Sequence, residues 1–113
     1  MEYIESKLLS GAENAIDQKT LLSLTGFKSV REMQKRIEFE RRQGVLILCN
    51  FSPQGGYFLP CQTDSEQAQH EISTFYGVLR AKVLSTLYTL KHAREALNLP
   101  PDEQLKIDDW EMR

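Results

Sequence analysis

Residues 28–44 run Lys-Ser-Val-Arg-Glu-Met-Gln-Lys-Arg-Ile-Glu-Phe-Glu-Arg-Arg-Gln-Gly. More than any other stretch, they restrict what the chain can become, because they carry both ends of a helix. Ser29 has the side chain to cap the first free N–H groups, and Glu32 three residues on completes a capping box. Gly44 suits the left-handed position past the last turn. Arg41 and Arg42 lie near the negative pole of the helix dipole. Val30, Met33 and Ile37 fall on one face. With residues about 100° apart, Lys28, Arg31, Glu32, Lys35 and Arg42 fall on the opposite side, and Phe39 also points outward. The segment holds six basic residues and three acids, a net of +3, whereas the whole chain carries −2. The remainder is therefore at −5, and a cationic helix in an acidic chain points to a local polyanion contact.

The length of 113 residues suits one domain with a modest core. A hydrophobic fraction of 41% and a charged fraction of 27% belong to an ordinary soluble protein. Mild acidity excludes a histone-like basic coat, which leaves a local patch as the only route to nucleic acid. No apolar run reaches the roughly 20 residues of a membrane span. The start Met-Glu-Tyr-Ile-Glu has no basic region before an apolar core, so no signal peptide is expected and the expected location is the cytoplasm. Cys49 and Cys61 are too few for a disulfide scaffold and are expected to be reduced. Cys49, Cys61 and His70 lack ligand spacing, so no metal is expected.

Along the chain, Tyr3–Leu9 is a short amphipathic helix candidate with Ile4, Leu8 and Leu9 toward one side, ended by Ser10-Gly11. Residues 13–16 form a connector. Asp17 is a good N-cap for a short helix over residues 18–24 with Leu21, Leu22 and Leu24 apolar. Thr25-Gly26-Phe27-Lys28 is a tight turn, with Gly26 free to take positive φ and Phe27 plugging the core. Two helices joined by such a turn have the helix-turn-helix layout, in which the second helix enters the major groove. Any helical hairpin remains the plain alternative. Val45–Cys49 then reads as a strand, residues 50–56 as a turn-rich loop, and Tyr57-Phe58-Leu59 as a second strand. The expected fold is therefore mainly α with a small β-hairpin, an α+β winged helix-turn-helix with a long C-terminal helix.

These residues carry a resemblance. Asn14-Ala15-Ile16, Leu21–Gly26, Arg31-Glu32, Lys35–Glu38, Glu40–Val45 and Gly55–Pro60 resemble a group of small winged-helix proteins from prophages and mobile elements of Gram-positive gut bacteria. The likeness covers residues 4 to about 97, and its most specific parts are the basic-acidic central helix and Gly-Gly-Tyr-Phe. It implies a winged fold and DNA binding but no defined target.

Residues 64–97 read as a long helix, with Asp64 and Gln67 as a capping pair. Ala68, Ile72, Phe75, Tyr76, Leu79, Val83, Leu87 and Leu90 recur at three- and four-residue steps, continued by Ala93 and Leu97. Leu84 and Tyr88 add apolar surface beside that stripe. It is longer than a small winged core can cover. Part is expected to pack on the domain and part on a second copy, with a helix folded back over its own domain as the alternative. The expected divisions are a winged helix-turn-helix domain at 1–63, the long helix at 64–97 and an acidic tail at 98–113. The tail is expected to be flexible, and the alternative is that Leu105, Ile107 and Trp110 dock on a partner or on the protein itself.

No catalytic constellation is present: there is no phosphate loop, and no nucleophile motif accompanies His70 or His92. The carboxylates read as solubilising charges on exposed helix faces. No cofactor and no small-molecule ligand is expected. For duplex DNA, Ser29 and the helix start would meet the backbone. Arg31, Gln34 and Lys35 would reach base edges. Lys28, Arg36, Arg41 and Arg42 would contact phosphates, with Lys19 as one more. For every charge the alternative is a solvated side chain paired with Glu32, Glu38 or Glu40. From Gln43 to Leu79 there is no Lys or Arg, so the hairpin loop has no cationic tip and only Phe51, Ser52 and Gln54 for neutral contacts. Arg80, Lys82, Lys91 and Arg94 bring basic character back to the long helix. The expected function is sequence-specific, non-catalytic binding of double-stranded DNA by a homodimer. The expected role is that of a phage or mobile-element transcriptional regulator or replication accessory factor. The alternative is a protein–protein interaction module on the same fold, which exposed Phe39 would also suit.

Overall fold

The computed structural model describes residues 3–101. The chain is mainly helical with a small two-stranded antiparallel sheet, an α+β arrangement. It divides into two compact units, Met1–Phe75 and Tyr76–Arg113. The division falls inside the long helix and not before it at residue 63, because the first turns of that helix contribute Glu71, Ile72 and Phe75 to the first unit's interior.

In the first unit the chain opens with two 3₁₀ turns, Ile4–Lys7 and Ala12–Asn14. Ile4 and Leu8 are buried as the spacing predicts, but Leu9 is exposed. Helix α1 spans Gln18–Thr25 and starts where the Asp17 carboxylate accepts the Thr20 N–H at 2.8 Å. It stops at Gly26, whose φ of +75° is the left-handed conformation that glycine adopts without steric cost. Leu21 is fully buried and Leu22 partly, whereas Leu24 faces solvent. Phe27 packs against the core from the turn.

Helix α2 spans Val30–Arg42. Ser29 Oγ accepts the Glu32 N–H at 3.2 Å, and Gly44 takes φ +99° just past the end. Met33 and Ile37 enter the core with almost no exposure. Each such side chain contributes about 1.5–3 kcal/mol over leaving it in water.

The two strands are short: β1 is Leu48–Cys49 and β2 is Tyr57–Phe58, with Leu48 opposite Phe58 and Cys49 opposite Tyr57. The apolar run from Val45 predicts a longer strand. Ladder pairing starts late because the chain is still turning at its start, with the Val45 N–H on Glu40 O and the Ile47 N–H on Val45 O, both at 3.1 Å, and because Pro60, which the register sets opposite Leu46, has no N–H to donate. On the other side of β2, Ile16 and Tyr57 exchange two backbone hydrogen bonds of 2.9 Å, and Leu59 is tied to Leu9 and Gly11. Adjacent strand residues point to opposite faces. Ile47 and Tyr57 therefore join Ile4, Leu21, Met33 and Ile37, while Leu48 and Phe58 join Phe75 on the far side.

Helix α3 is Ser65–Ala96, with Asp64 Oδ1 accepting the Glu66 and Gln67 N–H groups at 3.0 and 3.2 Å. In the second unit Leu87 is buried, whereas Tyr76, Leu79, Tyr88 and Leu97 are exposed. The helix ends in a Schellman motif. Asn98 takes φ +56°, its N–H bonds to Glu95 O at 3.1 Å, and the Leu99 N–H bonds to Arg94 O at 3.0 Å. Leu105, Ile107 and Trp110 lie outside the described residues. No helix among the described residues is long and apolar enough to cross a membrane.

Candidate nucleic-acid interface

The outward side of α2 is set by the burial of its other side. Because Met33, Ile37 and Glu40 point inward, Arg31, Gln34, Lys35 and Arg42 are turned to solvent. Lys28 and the capping Ser29 are exposed at its start. Among the described residues, Lys28, Arg31 and Lys35 have no ion-pair partner. Arg42 Nη2 lies 2.6 Å from Glu38 Oε1, with both side chains well exposed. Such a pair is worth under about 1 kcal/mol, so Arg42 is free to exchange Glu38 for another anion.

Arg36 and Arg41 depart from their expected place as phosphate contacts. The Arg36 guanidinium is 4.6 Å from the Tyr3 ring centroid and 4.9 Å from that of Phe39. Its Nε donates to Glu40 at 3.0 Å, and only 20% of the side chain remains exposed. Arg41 turns under the hairpin, where its Nε donates to Ile47 O and its guanidinium sits 5.2 Å from the Phe75 ring centroid. Its Nη2 is buried with no acceptor among the described residues. Both cations serve the fold, because the apolar and carbonyl partners in reach hold the long side chains against the protein.

Two acids read as solubilising charges are buried instead. Glu40 is fully buried, and its carboxylate accepts the N–H groups of Ile4 at 2.7 Å and Glu5 at 2.9 Å. Those are free donors at the start of the first 3₁₀ turn. A signal for Glu40 exists in the spacing: it follows Met33 and Ile37 at steps of four and three, on the apolar face. Glu71 accepts from the Ala12 N–H at 2.7 Å, the Cys61 N–H at 2.9 Å and Gln67 Nε2 at 3.0 Å. Burial pushes its carboxyl upward, and the hydrogen bonds from Gln67, Ala12 and Cys61 outweigh this, helped by neighbouring His70; the net shift is downward. The exposed Asp17 carboxyl is also lowered, by the Thr20 hydroxyl first, then the Thr20 N–H, with Lys19 adding to this against a small opposing effect of burial.

The hairpin loop turns its groups inward. Phe51 takes φ +58° and stacks on Phe75 with ring centroids 5.7 Å apart, so it is not an outward contact. Ser52 Oγ donates to Gly55 O at 2.8 Å. Gln54 is exposed, and its carbonyl accepts the Gln18 N–H at 3.0 Å, which ties the loop to the start of α1. A cleft of about 520 Å³ is lined there by Asp17, Gln18, Lys19, Val30, Pro53 and Gln54, which puts Lys19 beside the first residue of α2. A groove of about 320 Å³ runs between α2 and the hairpin, lined by Gln34, Ile37, Glu38, Arg41 and Tyr57. Among the described residues, no three His, Cys, Asp or Glu side chains gather as a metal site, and both cysteines are free thiols. Comparison with known proteins finds no matching family model, no matching curated protein and no matching solved structure.

Proposed function

We propose that the first unit is a winged helix-turn-helix, of the kind the prophage and mobile-element proteins represent, and that α2 is its DNA recognition helix. One observation carries this reading: Arg31, Gln34 and Lys35 stand exposed on α2 and Lys28 stands exposed just before its cap, and the three cations have no ion-pair partner among the described residues. Desolvated side chains of the other face brace that helix, so its donors are presented without rearrangement. Arg31 and Lys35 have the reach and donor geometry for guanine, and Gln34 for adenine. Lys28, Arg42 and Lys19 are placed for phosphates. The revised set omits Arg36 and Arg41, which the fold already uses. A cytoplasmic, non-catalytic regulator or replication factor of a mobile element, acting as a homodimer through the second unit, fits this set.

Binding of mixed-sequence duplex measured against salt tests the reading. Three phosphate contacts give a slope of log affinity against log salt of about −3. Absence of binding at low salt would turn the reading toward a protein-interaction module, which exposed Tyr3 and Phe39 and the uncharged hairpin loop also suit.

A further inference from the structure

Phe39 is a large apolar side chain, 45% exposed, on the helix face that carries the free cations. It stands four residues after Lys35 and three before Arg42, so it shares their side of α2. Its ring is held in place: Arg36 lies across it at 4.9 Å, and Arg36 is itself fixed by the Glu40 carboxylate and the Tyr3 ring. An exposed aromatic ring anchored through a buried acid is a pre-set contact surface, with little rotamer freedom left to lose on binding.

We propose that Phe39 reads the 5-methyl group of a thymine in the major groove. This rests on the DNA-binding reading of α2. The thymine methyl is the apolar feature of the major-groove edge, and an aromatic side chain is a fitting partner for it. A helix rises about 1.5 Å per residue, so Phe39 lies about 6 Å along the axis from Lys35. On a groove-bound helix, side chains three to four positions apart meet successive bases, so Phe39 falls about one base pair from the one facing Lys35. Charge selects the nucleic-acid occupant over an apolar protein surface. On the same side of the helix stand Lys28, Arg31 and Lys35, with no ion-pair partner among the described residues, and Arg42, whose exposed pair with Glu38 can exchange for a phosphate; a duplex matches these cations and a greasy patch does not.

The test uses the full-length chain and the duplex it enriches from a random pool. Each thymine of that site is replaced in turn by deoxyuridine, which removes only the methyl. The wild type is expected to lose about fourfold in affinity at one or two thymines, the weight of one buried methyl group. Phe39→Ala is expected to bind the thymine and deoxyuridine duplexes equally, and Phe39→Leu to retain part of the difference. The salt slope should stay unchanged, because no phosphate contact is lost. Salt-dependent binding with every thymine replaceable would overturn the Phe39 assignment and leave the recognition helix standing. Absence of any duplex binding at low salt would overturn both. The deoxyuridine series on the wild type stands without any variant, so a poorly folded Phe39→Ala does not blunt it.

Discussion

The Glu40 carboxylate accepts the backbone N–H of Ile4 at 2.7 Å, although the two residues are 36 positions apart. The same carboxylate takes the Glu5 N–H and the Arg36 guanidinium. Through it the end of α2 holds the first 3₁₀ turn, and with it the buried Ile4. Glu40→Ala leaves two N–H groups without an acceptor and Arg36 without its counter-charge. The expected loss is about 3–5 kcal/mol, read as a lower urea midpoint. Glu40→Gln retains one acceptor oxygen and should lose less. Hydrogen exchange at Ile4 and Glu5 should quicken in both.

Glu71 performs the same task for Ala12 and Cys61 and has a lowered carboxyl pKa. A folded pKa below the unfolded one contributes stability above the ordinary carboxylate range, and that stability is lost as pH falls through that range to the folded value. Glu71→Gln should therefore be less stable at neutral pH and should lose stability less steeply between about pH 5 and 3, near the ordinary value for Glu. Urea titrations at several pH values read this directly. Glu71→Ala, which strands both N–H groups, should cost about 1–3 kcal/mol.

The cations of α2 should separate into two classes. Arg31→Ala and Lys35→Ala are expected to weaken duplex binding by about tenfold or more where they contact guanine, with melting temperature unchanged. Lys28→Ala and Arg42→Ala should reduce the salt slope by about one each. Arg36→Ala and Arg41→Ala should instead lower stability by about 1–3 kcal/mol, because the first uncovers a buried acid and the second abandons the Ile47 carbonyl. Melting curves alongside binding isotherms distinguish the two classes.

At Gly26, φ is +75° and a Cβ would meet nothing within 4 Å. The cost of Gly26→Ala is then the backbone conformation alone, about 1–2 kcal/mol. Gly56→Ala differs in kind, since its Cβ would collide with the Asn50 side chain. Asn50 is held there by the Ser52 N–H at 3.0 Å, so the loop would have to move. Thermal melts should show a larger loss at Gly56 than at Gly26. Ser29→Ala, which removes the α2 cap, should cost about 1 kcal/mol.

The second unit exposes Tyr76 and Leu79 on one side of α3, with Leu97 exposed just past its end. A homodimer that covers this surface is expected in sedimentation at micromolar concentration. Tyr76→Glu and Leu79→Glu together should give a monomer whose first unit keeps its melting transition. A wild type that sediments as a monomer would refute the dimer.

Much of this chain was legible from residues read a few at a time. Asp17, Ser29, Gly26 and Gly44 mark the helix ends because a cap is made within about four residues. The three-and-four spacing of Val30, Met33 and Ile37 decides which side of α2 turns inward, and so which cations turn outward. The position of the hairpin follows from its β-rich runs and the Gly-Gly turn. The fate of Glu40, Glu71, Arg36, Arg41 and Phe51 was settled only when the chain closed on itself. Each depends on a partner far along the sequence: an N–H at Ile4 or Ala12, the Tyr3 ring, or the Phe75 ring. A buried carboxylate goes where distant backbone donors lack acceptors, and no local pattern records which donors those are.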